Sequence, residues 1–387
     1  MTCWYYGKGK EVDSLELRVK AREFLSKNAV LCIAVVLAVL TSIIVKPDGQ
    51  YIEYFDFRTL TCLFCTLAVV CALRNIHFFT VVAERIVSVF RRTRYAIIAL
   101  GYLPFIGSML IANDMALITF LPLGYIVLKS TGNEEYMSFA FIMQNIAANL
   151  GGMLTPFGNP QNLYLYSYFN ISNAEFIQIM AMPFVISIVI ITACCFKIPN
   201  NRMEVKTSSD YKLSKWRTTV YLMLFAFSIL IVFRTIPYWT GIIVIPVSLL
   251  VLDRKALKDV DYGLLLTFCA FFVFAGNMSR IGVVKDILSY VINKNTLLFS
   301  TLSCQFISNV PSAILLSKFT QNYQQLLVAV NIGGAGTLIA SLASLITFRE
   351  YCKNYPDKKS EYLKEFSIYN FSIMVTLLVI MMLKNRI

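Results

Sequence analysis

Ile111-Ala112-Asn113-Asp114-Met115 ends one apolar run, and Asn149-Leu150-Gly151-Gly152 followed by Thr155-Pro156-Phe157-Gly158-Asn159-Pro160-Gln161-Asn162 ends another. Polar and helix-breaking residues stand here where the flanks demand continuous apolar helix. In hydrocarbon an unpaired backbone amide or carbonyl costs several kcal/mol, so such breaks persist only where they are buried in protein or line a polar cavity. Both breaks are therefore read as parts of one binding site.

The composition agrees. With 57% hydrophobic residues, 15% charged residues and a mean hydropathy of +0.65, the chain reads as an all-α polytopic membrane protein. A net charge of +13 would suggest nucleic acid for a soluble protein; in a membrane protein it reflects Lys/Arg-rich cytoplasmic loops, and no nucleic-acid partner is expected. Most of the ten cysteines, among them Cys32, Cys71, Cys194, Cys195, Cys269 and Cys304, lie in apolar runs and behave as small hydrophobes. Cys62-x-x-Cys65 has the spacing of a metal or redox pair but no second pair or nearby His, so no cofactor is expected.

Residues 1–28 form a polar, amphipathic cytoplasmic segment, too long and too acidic for the start of a signal peptide. A first repeat, 29–196, holds spans near 29–45 and 59–73 and an interfacial helix at 75–90 that carries His77, Glu84 and Arg85. A re-entrant hairpin at 95–128 turns at Ala112-Asn113-Asp114; an unwound helix at 136–169 and a span at 175–196 complete the repeat. Residues 197–237 supply a cytoplasmic loop and a linking span. The second repeat, 238–387, has spans at 238–252 and 262–276 and an amphipathic stretch at 280–294 with Arg280 and Asp286 on its polar face. A hairpin at 296–319 then turns at Ser308-Asn309-Val310-Pro311-Ser312, a helix at 321–348 opens at Gly333-Gly334-Ala335-Gly336-Thr337, and a last span covers 366–383.

The halves align. Ile111 to Ile118 lies over Ile307 to Ile314 at an offset of 196 residues, and Asn149 to Thr155 over Asn331 to Thr337 at an offset of 182, with a loop insertion near Ser130 to Tyr136. Interrupted helices at matching positions of two halves point to a secondary-transporter site at the bilayer midplane. With the N-terminus inside, 26 Lys/Arg fall in inside segments and eight outside, with Lys318 left in the second hairpin; the orientation is read from this asymmetry. It sends the hairpins in from opposite faces, an inverted repeat.

Asn-tipped hairpins, each followed by a Gly-Gly-x-x-Thr unwound helix, resemble the Ion Transporter superfamily, whose members include divalent-anion/sodium symporters, citrate transporters and arsenite permeases. The tips Ala112-Asn113-Asp114 and Ser308-Asn309-Val310 keep only the Asn of the symporters' Ser-Asn-Thr, and Asn159 stands where the symporters have Thr. Ala-Asn-Asp is closer to the arsenite-permease and citrate-permease branches. The resemblance implies a scaffold plus an elevator-like transport domain, a homodimer, and transport of a small anion, a di- or tricarboxylate or an oxyanion, across the plasma or inner membrane. The alternative on the same fold is arsenite-type efflux or Na+/H+ antiport.

Asn113, Thr155, Asn159, Asn162, Asn309, Thr337, Ser341 and Ser344 are the candidate substrate ligands, placed to donate hydrogen bonds to an anion. Asn113, Asp114, Gly158, Ser308, Asn309 and Ala340 are the candidates for Na+ or H+ coupling, with Na+ at the Asn113 and Asn309 tips. Half-helices starting after Asp114, Asn159, Pro311 and Ala340 aim positive ends at the site. A mid-membrane carboxylate faces a pathway and pairs with a proton or cation, so Asp114 is assigned coupling; capping the returning hairpin arm is the bland alternative. Lys318 reads as a cation snorkelling to the outer interface, with substrate neutralisation the alternative. One His and no catalytic cluster argue against an intramembrane enzyme, opposed hairpins against a channel, and the lack of a P-loop against ATP drive.

Overall fold

In the computed structural model, residues 28–203 and 211–384 are described. The interfacial segment expected within 1–28 lies outside the described residues except for Asn28, as does 204–210 of the central loop. The described chain is helical, and its sole β feature is an isolated antiparallel bridge between Arg92 and Arg202.

The helices are α1 (Ala29–Ile44), α2 (Phe57–Asn75), α3 (Phe78–Val87), α4 (Thr93–Leu110), α5 (Asn113–Ser130), α6 (Met137–Gly151), α7 (Pro160–Tyr168) and α8 (Asn173–Cys195). After the central loop come α9 (Lys215–Val232), α10 (Tyr238–Leu252), α11 (Arg254–Lys258), α12 (Tyr262–Arg280), α13 (Gly282–Lys294), α14 (Thr296–Ile307), α15 (Asn309–Leu316), α16 (Tyr323–Gly333), α17 (Leu342–Asn354) and α18 (Lys359–Lys384). Among the described residues six segments, including α2, α8 and α9, are long and apolar enough to cross a membrane. Polar residues start the helices: Asp56, Ser172, Asp261, Asn295 and Asn322 each accept a first-turn backbone N–H, which would otherwise be left unpaired.

Two pairs of neighbouring helices fold back on themselves. α4 packs along α5, and their far ends meet where the Thr93 hydroxyl donates to Asn133 Oδ1 at 3.4 Å. α14 packs along α15, and Thr320 beyond it donates to Asn293 before it at 3.3 Å. The arms differ: α4 and α5 have 18 residues each, about 27 Å, whereas α14 and α15 have 12 and 8, about 18 and 12 Å.

α8 relates the two hairpin bases. Beyond its C-terminus, Ile198 O accepts from Arg94 Nε at 2.7 Å and Asn201 O from Thr93 N at 3.0 Å, at the first base. In its first turn, Glu175 accepts from the Tyr323 hydroxyl at 2.6 Å, three residues past Thr320 of the second base. The 23-residue helix is about 34 Å long, so the bases lie at opposite ends of a membrane-length rod.

Packing between the halves is crossed. α1 lies on α12 and α2 on α10, while α5 lies on α17 and α7 on α15. Three local expectations change. Arg280 ends α12 and pairs with Asp48 at 2.7 Å, leaving the polar face of α13 without it. His77 occupies the turn before α3, stacked on Tyr211 at 4.0 Å. The last helix begins at Lys359, about two turns earlier than its apolar run, because polar residues continue the helix beyond the hydrophobic stretch.

Candidate functional site

Each helix break is tied to the hairpin that precedes it. α6 stops at Gly151, passes through a 3-10 turn at Gly152–Leu154 and resumes as α7 at Pro160. Gly151 is dictated by close approach, since a Cβ there would collide with the Phe105 carbonyl of α4; one on Gly333 would sit 2.8 Å from Cys304 Cβ of α14. Two threonines complete the tie: Thr155 Oγ1 donates to Met109 O at 2.7 Å and Thr337 Oγ1 to Gln305 O at 3.1 Å. Gln305 also accepts from Thr337 N at 2.8 Å and donates to Gly333 O at 2.9 Å, closing the backbone groups that the second break opens.

Carboxamides then join tips to breaks and half to half. Asn113 Nδ2 at the first tip donates to Asn149 Oδ1 at 3.1 Å. Asn159 Nδ2 donates to Asn149 O and, across the halves, to Asn331 Oδ1, both at 3.3 Å. Asn331 Nδ2 donates to Asn162 Oδ1 at 2.6 Å. All five are buried, as a carboxamide in an apolar bundle must be paired to be tolerated. At the second tip Asn309 N and Ser308 Oγ both donate to Ala340 O, at 2.9 and 3.2 Å, and Ser308 takes a left-handed φ of 73° to make that turn. The tips share one device: Asn113 Oδ1 accepts from Asp114 N at 3.0 Å and Asn309 Oδ1 from Val310 N at 2.9 Å. A Cβ placed on Gly334 would lie 2.9 Å from Asn309 Nδ2 and 3.6 Å from Asn149 Oδ1, so the second tip and the carboxamide that holds the first tip meet at this glycine.

Several candidate ligands are consumed by this scaffold. The Thr155 and Thr337 hydroxyl protons go to carbonyls. Asn162 is saturated, its Nδ2 donating to Gly152 O at 3.2 Å. Ser308 and Ala340 bond to each other, and Ser341 caps α17 by accepting from Ala343 N at 3.2 Å. Gly158 closes the Thr155 turn, its N–H donating to Thr155 O at 3.3 Å. The half-helices also start elsewhere than expected for three of the four: α5 at Asn113, α15 at Asn309 and α17 at Leu342, because the tip asparagines and Ser341 take the first-turn amides. Asp114 caps nothing; Ala112 holds that position, and Asn113 takes the Asp114 N–H.

Four polar groups among the candidate ligands remain open. Asp114 Oδ1, Asn159 Oδ1 and Ser344 Oγ are shut from solvent and have no hydrogen-bond partner among the described residues. Asn309 Nδ2, on a residue 3% exposed, donates no hydrogen bond among them. Asn159 also lines, with Leu110 and Ala112 of the first tip and Thr66 of α2, a crevice of about 10 Å³, room for one water or a small ion. Asn149, Asn331 and Gln305 were absent from the candidate ligands, although the first two open the repeated Asn-x-Gly-Gly; a buried carboxamide inside an apolar run was the available signal.

A buried polar centre held between hairpins and broken helices, inside a bundle of membrane-length apolar segments, defines a multi-pass membrane transporter. The chain belongs to the citrate transporter family, whose sequence model matches residues 19–326. It is 34% identical over 296 residues to an uncharacterized transporter of Methanocaldococcus jannaschii, covering 76% of this chain and 81% of that protein. It is also 30% identical over 283 residues to the inner membrane protein YbiR of Escherichia coli K12, covering 70% and 74%. The family and the first relative's name point to transport rather than catalysis.

Proposed function

We propose that the chain is a secondary active transporter of a small carboxylate anion of the citrate type, coupled to Na+ or H+ and working by alternating access. The observation that carries this is the division of the open polar groups. Asp114 Oδ1 and Asn159 Oδ1, both from the first half, are acceptors suited to a cation or proton. Asn309 Nδ2 and the Ser344 hydroxyl, both from the second half, can donate to an anion. The N-terminal ends of α5, α7, α15 and α17 add partial positive charge at the same centre. An anion bound there depends on these dipoles and on its co-bound cation, since no Lys or Arg stands in the four motifs.

Hairpin bases at opposite ends of α8 support the reading that the hairpins are re-entrant from opposite faces. Under that reading the two halves are inverted repeats, the chain sits in the plasma or inner membrane with its N-terminus cytoplasmic, and the hairpins with their broken helices move as an elevator-like body against a scaffold, in a homodimer.

The test is a thermal-shift screen of purified protein with citrate, succinate, malate, sulfate, phosphate and arsenite, each with Na+ or K+ at two pH values. A ligand that binds only the folded state raises its stability by mass action. Stabilisation by one carboxylate that requires Na+ or low pH supports the proposal. Stabilisation by arsenite, or by Na+ or pH with no organic anion responding, supports the efflux or antiport reading, which the open Asp114 carboxylate favours.

A further inference from the structure

We propose that Arg234 forms a second anion site, a receiving position for a carboxylate at the end of α7 remote from the central cluster. The proposal rests on the anion reading above. Arg234 follows α9, and its side chain reaches across to the turn between α7 and α8. There Nη1 donates to Asn170 Oδ1 at 2.5 Å, Nη2 donates to Tyr166 O at 2.6 Å, and the guanidinium lies over the Tyr166 ring at 4.3 Å.

Every acceptor in that set is neutral. Arg234 is half-buried, forms no ion pair among the described residues, and its Nε–H is shut from solvent with no hydrogen-bond partner. A partly desolvated guanidinium with one donor unused is incomplete; a carboxylate engaging Nε and one Nη would supply the charge-assisted, bidentate pairing that two carbonyls do not. The backbone is held for the purpose: Arg234 and Asn170, bonded to each other, both take left-handed φ values, 64° and 50°. Asn tolerates that conformation, but for Arg it is unfavourable and persists only where surroundings over-determine it.

Two further cations lie over rings at the end of α7 and the start of α10. Lys318, also half-buried and without an ion pair, sits 4.4 Å over the Tyr168 ring, and Arg58 5.9 Å over the Tyr238 ring. The acid beside Arg58, Asp56, is engaged in capping α2, accepting from Thr59 N at 3.0 Å and Thr59 Oγ1 at 2.6 Å. Position gives the site its use: α7 carries Asn159 and Asn162 at its N-terminal end and Tyr166 near the other, and its nine residues span about 13 Å. An anion on Arg234 is therefore one short helix from the central groups, and Asn170 is the neutral placeholder it displaces.

The test is the rate at which phenylglyoxal modifies Arg234 in the full-length purified protein, followed by peptide mass mapping, with citrate, succinate, sulfate or chloride at matched ionic strength. A carboxylate, and not chloride, is expected to slow modification about tenfold when Arg234 is mostly occupied. The protection should persist in Asn159→Ala, which disables the central cluster, and labelling without anion should quicken in Asn170→Gly, which keeps the backbone conformation and removes the competing acceptor. In cells, Arg234→Gln should raise the KM for carboxylate uptake and leave Vmax near wild type, with cooperative unfolding retained. Modification of Arg234 indifferent to every anion, or an unchanged KM in Arg234→Gln, overturns the site. Protection of Arg234 in a protein that moves none of these anions keeps the site and removes the transport reading.

Discussion

Asn159 of the first break donates to Asn331 of the second at 3.3 Å, so two interruptions 172 residues apart share one hydrogen-bonded centre. Neither break is tolerable alone in an apolar bundle, because each exposes carboxamides and backbone groups that need partners. Joined, they satisfy most of each other's demands and leave a few groups over. Removing either partner should cost about 1–3 kcal/mol by orphaning the other. The coupling between Asn159→Ala and Asn331→Ala in a double-mutant cycle should be about 0.5–1.5 kcal/mol, read from reversible unfolding in detergent. Strict additivity would mean that the contact carries no energy.

The close approach of break and hairpin separates two glycines of the same neighbourhood. A Cβ on Gly151 meets the Phe105 backbone carbonyl, which cannot swing aside, whereas one on Gly101 of α4 meets nothing within 4 Å. Gly151→Ala should destabilise by about 1–3 kcal/mol or more. Gly101→Ala should be neutral or stabilising by up to about 1 kcal/mol, as expected for glycine replaced within a helix. Unfolding midpoints of the two variants check the contrast, and equal midpoints would contradict it.

The loop pair Asp48 and Arg280 gives a pH dependence of known sign. The hydrogen-bonded Arg280 guanidinium holds the Asp48 carboxyl below its ordinary range. The unfolded chain therefore binds that proton more readily, and the pair's contribution is fully present above the unfolded carboxylate pKa of about 4 and lost as the pH falls through the lowered folded value. Both side chains are partly exposed, at 32% and 41%, so salt should weaken the effect. Tm measured from pH 2.5 to 7 should separate wild type from Asp48→Asn at the neutral end and let them converge on the acid side. A constant separation across the range would contradict the linkage.

Asp114 tests the coupling role. Asp114→Asn keeps the shape and removes the ionisable group, so uptake by proteoliposomes should lose its pH dependence if the carboxylate carries the proton. Unchanged pH dependence would exclude Asp114 as that carrier.

The helical bundle was readable in the sequence because membrane spans are set by length and apolarity, quantities that need no tertiary information. The breaks at Asn113, Gly151–Asn159, Asn309 and Gly333–Ser341 were readable for the same reason: polar residues inside apolar runs are conspicuous. What each polar atom does was not. Thr155, Thr337 and Asn162 have the chemistry of anion ligands, yet their hydrogens go to backbone carbonyls that only packing brings near. Asn149 and Asn331 look like part of a glycine motif and prove to be links, the first between tip and break and the second between the two breaks. The Arg280 pairing to Asp48, 232 residues away, has no sequence pattern behind it.

The central claim is that both hairpin tips build one transport site, the first on its cation side and the second on its anion side, and exchange of labelled citrate across proteoliposomes by wild type, Asn113→Ala and Asn309→Ala tests it most directly. Asn309→Ala removes an open donor to the charged ligand, which corresponds to roughly tenfold or more in affinity. Asn113→Ala unties Asn149 from the first tip, where Asp114 and Asn159 are proposed to hold the coupling cation. Both variants are therefore expected to exchange at a small fraction of the wild-type rate at low citrate while unfolding cooperatively. Wild-type exchange by either folded variant would contradict a shared site.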